Sequence, residues 1–324
     1  MTIRRAYIRV TVILGLLPQM VLWSPLVQAQ IKLEFKFPEG QSLTYKTTSR
    51  TRQLLTLMGG MEKVSVLRET KLSTRSVGKC RDDSSLPIEE TNQFLRAEYT
   101  VPDGIKLTLD SSEPNIKIDN PQLAFLGDVF KLENSIAYTV VLDKQKKVKE
   151  IEGTEKLKEK AEQLADSIAR EEFQRANSDD RIRTKFEQAL RILPDVPAHA
   201  GESWERTELL EINGKTLIVR KKYEYVGTEK KGDKILEKIG QKLLDVKYDT
   251  DANEKLPLKV AKSTLKIQSS EGTILFDREE GHIASASQKV QFKGNMTFSG
   301  AGVDQTGEFD LTFDTNTQLQ PPAK

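Results

Sequence analysis

The chain has 324 residues, of which 37% are hydrophobic and 30% are charged, the composition of an ordinary soluble protein. Its 50 Lys and Arg residues nearly balance its 48 Asp and Glu residues, for a formal net charge of +2. That balance excludes a general electrostatic attraction to nucleic acid. The single cysteine, Cys80, excludes an internal disulfide. We expect it to be a buried or strand-end thiol, with a reactive thiol or a dimer bridge as the alternative.

The first 29 residues have the layout of a cleaved export signal. Arg4, Arg5 and Arg9 precede an apolar run from Val10 to Trp23, and Val27-Gln28-Ala29 ends in the small residue expected before a cleavage site. We therefore predict cleavage after about Ala29 and a location in the periplasm or outside the cell.

Two other uses of this segment are less favoured. Pro18, Gln19 and Pro25 interrupt the apolar run, whereas a membrane anchor needs about 20 continuous apolar residues, so we predict no transmembrane segment in the mature chain. The adjacent arginines resemble a twin-arginine signal for folded protein, but export of the unfolded chain is favoured. Without the signal, 295 residues (324 − 29) remain, with 47 basic and 48 acidic side chains and a net charge of −1. They suffice for one large domain or two small ones.

Residues 43–151 are patterned as strands, because apolar and polar side chains alternate with a period of two. Gly59-Gly60 and Pro102-Asp103-Gly104 lie between such runs and predict tight turns. Asp110 to Pro114 predicts a loop, and Asp143 to Lys146 a further turn. The predicted strands are 43–47, 54–58, 64–74, 95–101, 105–109, 136–142 and 148–151.

The pattern then changes to that of two amphipathic helices. Apolar residues from Leu157 to Ile168 fall on one helical face, with Lys and Glu on the opposite face. Ser178 is the predicted N-cap of the second helix, and Asp179 and Asp180 favour its positive end. Pro194 ends that helix and begins an extended Pro-rich segment.

Strand patterns resume near Trp204. Asn213-Gly214 is the strongest hairpin signal in the chain, and Lys231-Gly232-Asp233 predicts another turn. Residues 235–246 fit either a helix or a strand, and their β and turn flanks favour a strand. The remaining predicted strands are 201–204, 216–225, 258–267, 273–276, 282–292, 295–299 and 309–313. The polar tail from Thr315 is predicted to be disordered.

Two pairs of segments resemble each other within the chain. Phe37 to Tyr45 resembles Val196 to Trp204, since both place Pro, Gly and Ser before an aromatic residue that enters a strand. Val141-Leu142-Asp143 likewise resembles Leu275-Phe276-Asp277. These pairs favour an internal duplication, with chance similarity between strand starts as the alternative.

We therefore predict an α+β fold that is mainly antiparallel β, with two curved-sheet lobes, related by a duplication, joined by a helical pair. The predicted segments are the export signal (1–29), an N-terminal β lobe (30–153), the helical pair with its Pro-rich linker (154–198), a C-terminal β lobe (199–314) and a disordered tail (315–324).

The order of several landmarks resembles a family of uncharacterised exported bacterial proteins, a domain of unknown function. The landmarks are the Phe37-x-x-Gly40 strand start, Asp110-Ser111, the strand pair around Asp143, Gly201-x-Ser-Trp204 after Leu193-Pro194, and Gly272 with Phe276-Asp277. The resemblance covers nearly the whole mature chain and implies no known activity or catalytic residue.

A second resemblance is to periplasmic lipoprotein and lipid carriers with an open β half-barrel. Tyr248-Asp249, Leu256-Pro257-Leu258-Lys259 and the strand at Gly272 to Asp277 carry it. The resemblance implies a curved sheet around an apolar cavity, with the helical pair as its lid.

The residues for several common chemistries are missing or wrongly spaced. His199 and His282 are the only histidines, and no Gly-x-Ser-x-Gly nucleophile turn accompanies them. Two histidines and one cysteine do not give a zinc pattern. Asp249, Asp251 and Asn253 match the start of a calcium loop, but Glu254 and Val260 occupy positions that need Gly and Glu, so we favour a solvated turn.

Other features are read as structural. Trp204, the only tryptophan of the mature chain, is expected to fill a lobe core. The lysines from Lys144 to Lys149 and from Lys156 to Lys160 are expected to form a solvated face, with an anion-binding patch as the alternative. Paired carboxylates remain open because the chain has 48 acids and nothing marks two of them.

The sequence thus assigns no catalytic, cofactor-binding or metal-binding residue and no cofactor. The leading hypothesis is a non-enzymatic exported protein of the cell envelope that binds an apolar or amphipathic ligand such as lipid. The alternatives are a structural or protein-interaction module of the envelope, whose partner would be another envelope protein, and a carboxylate-based hydrolase.

Overall fold

A computed structural model of the chain describes residues 30–57, 59–113, 118–212, 215–250, 259–300 and 303–321. The predicted export signal lies outside them. The strands are β1 (Ser42–Thr56), β2 (Glu62–Val77), β3 (Leu86–Thr100), β4 (Lys106–Asp110), β5 (Ala137–Leu142), β6 (Val148–Glu152), β7 (Ser203–Ile212), β8 (Lys215–Lys231), β9 (Lys234–Tyr248), β10 (Lys259–Ser263), β11 (Lys266–Asp277), β12 (His282–Gly300) and β13 (Val303–Leu319). The helices are α1 (Ala124–Asn134), α2 (Thr154–Ala161), α3 (Ser167–Ala176) and α4 (Asp179–Leu190).

These strands form one large antiparallel sheet in the order β6-β5-β3-β2-β1-β13-β12-β11-β9-β8-β7, with β4 beside β3 and β10 beside β12. The sheet is open, because its edge strands β6 and β7 do not pair with each other. The predicted mainly antiparallel fold is confirmed. The sheet has two halves, each built from strands that are neighbours in the same sequence order: β1-β2-β3-β5-β6 in the first half and β7-β8-β9-β11-β12 in the second. β13 lies between the halves and pairs with β1 and β12.

The first pair of similar segments, 37–45 and 196–204, contains the same turn in both halves of the sheet. Gly40 and Gly201 have φ values of +75° and +89°, a conformation that glycine adopts without strain. The Gly40 N–H donates to the Val77 carbonyl at 2.9 Å, and the Gly201 N–H donates to the Tyr225 carbonyl at 2.7 Å. Each glycine therefore lies just before the first strand of its half and bonds to the second strand. Gly40 bonds to the last residue of β2, and Gly201 bonds to a residue within β8.

The second pair of similar segments, 141–143 and 275–277, leads into two turns that each begin at an aspartate. The carboxylates of Asp143 and Asp277 each accept a backbone N–H from their own turn, at 2.8 and 3.0 Å. Both turns hold the segment 31–37: the Lys146 ammonium donates to one of its carbonyls at 2.8 Å, and the Gly281 carbonyl accepts one of its N–H groups at 2.9 Å. The segment thus connects the two halves.

Helix α4 lies between the two edges of the open sheet. Arg183 donates to the backbone carbonyl of Val148 on β6. On the other side, Lys185 forms an ion pair with Glu211 on β7, with 2.7 Å between nitrogen and oxygen. Because one helix contacts both edge strands, the sheet bends around it and has an inner face that is turned toward the helices.

The helical region differs from the predicted pair. The first predicted helix is divided into α2 and α3, because the Asp166 carboxylate accepts the Ala169 N–H at 2.7 Å and starts a new helix. Leu157, Ala161 and Leu164 are nevertheless buried in one cluster, as their spacing predicts. Residues 162–166 connect the two helices.

Helix α1 was not predicted. It is short and contains Gly127, so its helical pattern is weak in the sequence. It is stabilised by packing, since Phe130 is buried against Leu95, Ala97 and Leu109 of β3 and β4.

Two further predictions are wrong. Residues 315–319, assigned to a disordered tail, continue β13; all of them pair with β1, and 315–318 also pair with β12. Their polar side chains are compatible with a strand because they lie in a polar part of the sheet. Cys80 is exposed in the loop after β2, so it is not a buried thiol. By contrast, residues 235–246 lie in β9, and the prediction of a strand there is confirmed.

None of the helices in the described ranges has both the length and the apolar character needed to cross a bilayer.

Candidate functional site

Three adjoining cavities lie between the inner face of the sheet and the helices. The central cavity, of about 580 Å³, lies between β2, β3, α4 and β7. The helical cavity, of about 390 Å³, lies between α1, α3 and β7 and shares Glu133 and Glu211 with the central cavity. The N-terminal cavity, of about 270 Å³, lies between the segment 31–37, α4 and the middle of the sheet, and shares Ser73 and Glu90 with the central cavity.

Ionisable side chains line the central cavity. Glu211 pairs with Lys185 at 2.7 Å and with Arg181 at 4.0 Å, which ties α4 to β7. Lys71 of β2 and Glu133 of α1 line the same space as Glu69. The cavity therefore holds acidic and basic groups together, some in direct ion pairs and some without a hydrogen bond to one another.

Two carboxyl groups in the central cavity have perturbed pKa values. Burial, and after it the neighbouring Glu69 carboxylate, raise the pKa of Glu133 from 4.5 to about 7, against the opposing effect of Lys71. Burial also raises the pKa of Glu69. The pair is thus held toward its protonated forms, because the cavity removes water without supplying enough positive charge.

A second ion pair lies where the central and N-terminal cavities meet. Arg75 Nε donates to Glu90 Oε1 at 2.5 Å, and the guanidinium carbon lies 5.1 Å from the centre of the Phe186 ring. Tyr45 lines the N-terminal cavity and Tyr138 lines the central one, and burial raises the pKa of Tyr45 to about 12. Arg75 is thus a largely buried cation among aromatic rings.

His282, at the start of β12, is buried with 7% of its surface exposed and lines the N-terminal cavity. Its Nδ1 atom has no hydrogen-bond partner among the described residues. Burial lowers the pKa of the imidazole, against the opposing effect of Asp277. His199 lies in the turn before β7, so the two histidines occupy different parts of the fold.

Trp204 packs against a core cluster, as predicted, and it stacks on Tyr223 with 5.9 Å between ring centres. The Tyr223 hydroxyl donates to Glu208 at 2.5 Å, and Lys221 pairs with the same carboxylate at 2.8 Å. This buried group is fully paired within the protein and belongs to the core of the second half.

The other sequence candidates give no site. Of the residues that resemble a calcium loop, Asp249 follows β9, and residues 251–258 lie outside the described ranges. Across the described ranges no group of three or more His, Cys, Asp or Glu is suited to hold a metal ion. Within the first lysine cluster, Lys146 pairs with Glu34 at 2.6 Å and Lys149 with Asp83 at 2.5 Å.

No sequence motif marks the residues that line the central cavity. The apolar residues whose alternation predicts this strand, such as Val64, Val66 and Leu72, have even numbers. Glu69, Lys71, Ser73 and Arg75 have odd numbers and face the cavities. A run of ionisable and polar residues at every second position was the available signal, and it normally marks the solvent face of a strand.

The fold and the site together define a protein built on one open antiparallel sheet whose inner face and helices enclose a divided, partly ionic cavity. The chain belongs to a family of unknown function (DUF6263), whose model matches residues 93–283. A comparison with curated protein sequences finds no match.

Several solved structures show a distant likeness. A structure of lipovitellin, described for its lipid–protein interactions, has 10% identity and a TM-score of 0.41 over 89% of this chain; this chain covers 26% of lipovitellin, about a quarter of its length. DynF from Micromonospora chersina has 10% identity and a TM-score of 0.20, over 91% of this chain and 89% of its own. An outer membrane channel from Pseudomonas putida F1 has 7% identity and a TM-score of 0.22, over 89% of this chain and 98% of its own.

Proposed function

We propose that this chain is an exported, non-enzymatic protein of the cell envelope that binds an apolar or amphipathic ligand, such as a lipid, between its sheet and its helices. The observation that carries the proposal is the row of adjoining cavities. The N-terminal cavity has mostly apolar walls, and the central cavity next to it is lined by ionisable side chains. Ligand sites in proteins are typically mostly apolar pockets of about 300–1,000 Å³ with a few polar groups. The central and helical cavities have that size, and the helical and N-terminal cavities have mostly apolar walls.

The way α4 is attached to the sheet suits a lid. Its link to β7 through Lys185 and Glu211 is partly exposed, with 50% and 27% of the two side chains accessible. Exposed ion pairs contribute only about 0–1 kcal/mol, so this link can open at little cost. The apolar contacts of Ile182 and Phe186 with β3, β5 and β6 would hold the helix to the other edge.

Native mass spectrometry tests the proposal directly. The mature chain would be isolated from a bacterial periplasm and measured before and after organic extraction. We expect an additional mass of lipid size at a defined stoichiometry, which extraction removes. A bare protein mass in both samples would contradict the proposal, and capture of envelope proteins by crosslinking would then support the interaction module.

A carboxylate-based hydrolase is the second candidate, because Glu69 and Glu133 line one cavity. It ranks lower because such enzymes need one ionised and one protonated carboxyl at working pH, whereas burial raises the pKa of both groups here. Hydrolysis of a glycoside or ester by the wild type, lost in Glu133→Gln and Glu69→Gln, would reverse this ranking.

A further inference from the structure

The N-terminal cavity has mostly apolar walls and room for one small ligand. Its volume is about 270 Å³. A small chemical group takes roughly the 30 Å³ that one water takes in the liquid, so the cavity holds about nine non-hydrogen atoms. The apolar walls come from the N-terminal segment, β1, α4 and β12, with Phe35, Phe37, Leu43, Phe186, Leu190 and Ile283. The space suits a single chain or ring.

Arg75 offers unused hydrogen-bond donors at one wall of this cavity. A guanidinium has five N–H groups, and Arg75 uses its Nε to bind Glu90. Within the described ranges its two Nη atoms make no hydrogen bond. The side chain is 23% exposed and lines the N-terminal cavity. A guanidinium with free Nη atoms matches the two oxygens of a carboxylate.

His282 offers a second polar contact in the same cavity. It is more than nine-tenths buried, and its Nδ1 atom has no partner among the described residues. A buried nitrogen without a partner is uncommon in folded proteins and costs stability, and less than 1 Å² of this atom is accessible, so a ligand atom satisfies it only after the ring turns the nitrogen into the cavity. Arg75 and His282 come from β2 and β12, which lie on opposite sides of the β1–β13 pair.

We infer that the N-terminal cavity is a binding site for a small monocarboxylate with an apolar body, whose carboxylate is held by the Nη atoms of Arg75. This inference rests on the proposed ligand-binding function and names the ligand class and the residue that recognises it. The apolar body lies against Phe186 and Leu190 of α4, so the ligand joins the helix to the sheet, and His282 lines another wall of the same cavity.

Octanoate and octanol form a matched pair of probes, because they have the same chain length and differ in the charged group. Both would be titrated into the full mature chain by calorimetry. Protein labelled with ¹⁵N in its two histidines would report the contact, with His199 as the internal reference. We expect octanoate to bind at least tenfold more tightly than octanol and to shift the ring nitrogens of His282 but not those of His199. Equal affinity for both probes would overturn the inference.

The variant R75M/E90L removes the guanidinium together with its partner. An apolar replacement of both members of a buried ion pair leaves no uncompensated charge, so the fold is expected to persist. We expect at least a tenfold loss of octanoate affinity and unchanged octanol affinity, whereas R50M, at an exposed arginine of β1, should leave both unchanged. Retained octanoate affinity in the double variant would also overturn the inference.

The outcomes separate this inference from the proposed function. If the wild type binds neither probe but carries an extractable lipid, this assignment fails and the proposed function stands. If it binds neither probe and has a bare mass, both fail. Should R75M/E90L not fold, the comparison of octanoate with octanol and the His282 signals of the wild type still decide the inference.

Discussion

The substitution Glu133→Gln is expected to change how the stability of this protein depends on pH. Burial in the central cavity and the nearby Glu69 carboxylate together raise the pKa of Glu133 from 4.5 to about 7. Between those two pH values the folded protein keeps a proton that the unfolded chain has lost. The free energy of unfolding therefore falls as the pH rises through this interval, and the full penalty is present above pH 7.

The size of the penalty follows from the two pKa values. Each factor of ten in proton affinity corresponds to about 1.36 kcal/mol, so the difference between 4.5 and about 7 gives an upper value of ~3 kcal/mol. Glu133 keeps partial exposure to the cavity, which weakens the effect, and we expect about 1–3 kcal/mol. Glutamine is neutral at every pH in this range. The variant should therefore match the wild type near pH 4.5 and exceed its stability by this amount at pH 8.5.

Urea unfolding of both proteins at pH 4.5 and 8.5 measures this difference. Glu62→Gln is the matched control, because Glu62 is exposed at the start of β2, and this change should alter stability equally at both pH values. A stability difference between Glu133→Gln and the wild type that is the same at pH 4.5 and 8.5 would refute the reasoning. It would mean that water or Lys71 compensates the buried carboxylate fully.

Three further predictions concern the fold. Gly294→Ala should lower stability by about 2–3 kcal/mol in urea unfolding, because its Cβ would lie 2.1 Å from a backbone oxygen, whereas Gly240→Ala, with its nearest neighbour at 3.6 Å, should change it little. Truncation after Asp314 removes residues paired on both sides in β13 and should lower the Tm by about 5 °C or more, whereas truncation after Gln320 should leave it unchanged. Cys80 should react with a thiol reagent in the folded protein, and a reaction that requires denaturant would contradict its exposed position.

Local signals in the sequence were sufficient for most strands and turns. Gly59-Gly60 and Lys231-Gly232-Asp233 lie at turns between paired strands, because glycine takes the positive φ that such turns require. The paired aspartates at 143 and 277 likewise begin turns. These features depend on a few consecutive residues, so they can be read without knowing what packs against them.

The errors occurred where distant contacts decide the structure. The tail beyond Thr315 looks disordered because it is polar, yet Thr317 lies opposite Thr47, and their hydroxyls are 3.0 Å apart. Helix α1 depends on burial of Phe130 against strands that are distant in the sequence. Nothing within either segment indicates the partner that stabilises it.

The sequence by itself determined the antiparallel β class, the local repeat of turns in the two halves and the helical segment between them, because period and turn chemistry are local properties. It also carried the export signal as a prediction, and that segment lies outside the described residues. Only the tertiary structure decided which face of each strand is enclosed. Alternation along β2 distinguishes two faces, but the bend of the sheet around α4 makes the face with Glu69, Lys71 and Arg75 an internal one. That bend arises from contacts between residues far apart in the chain, and it creates the cavities on which the proposed function depends.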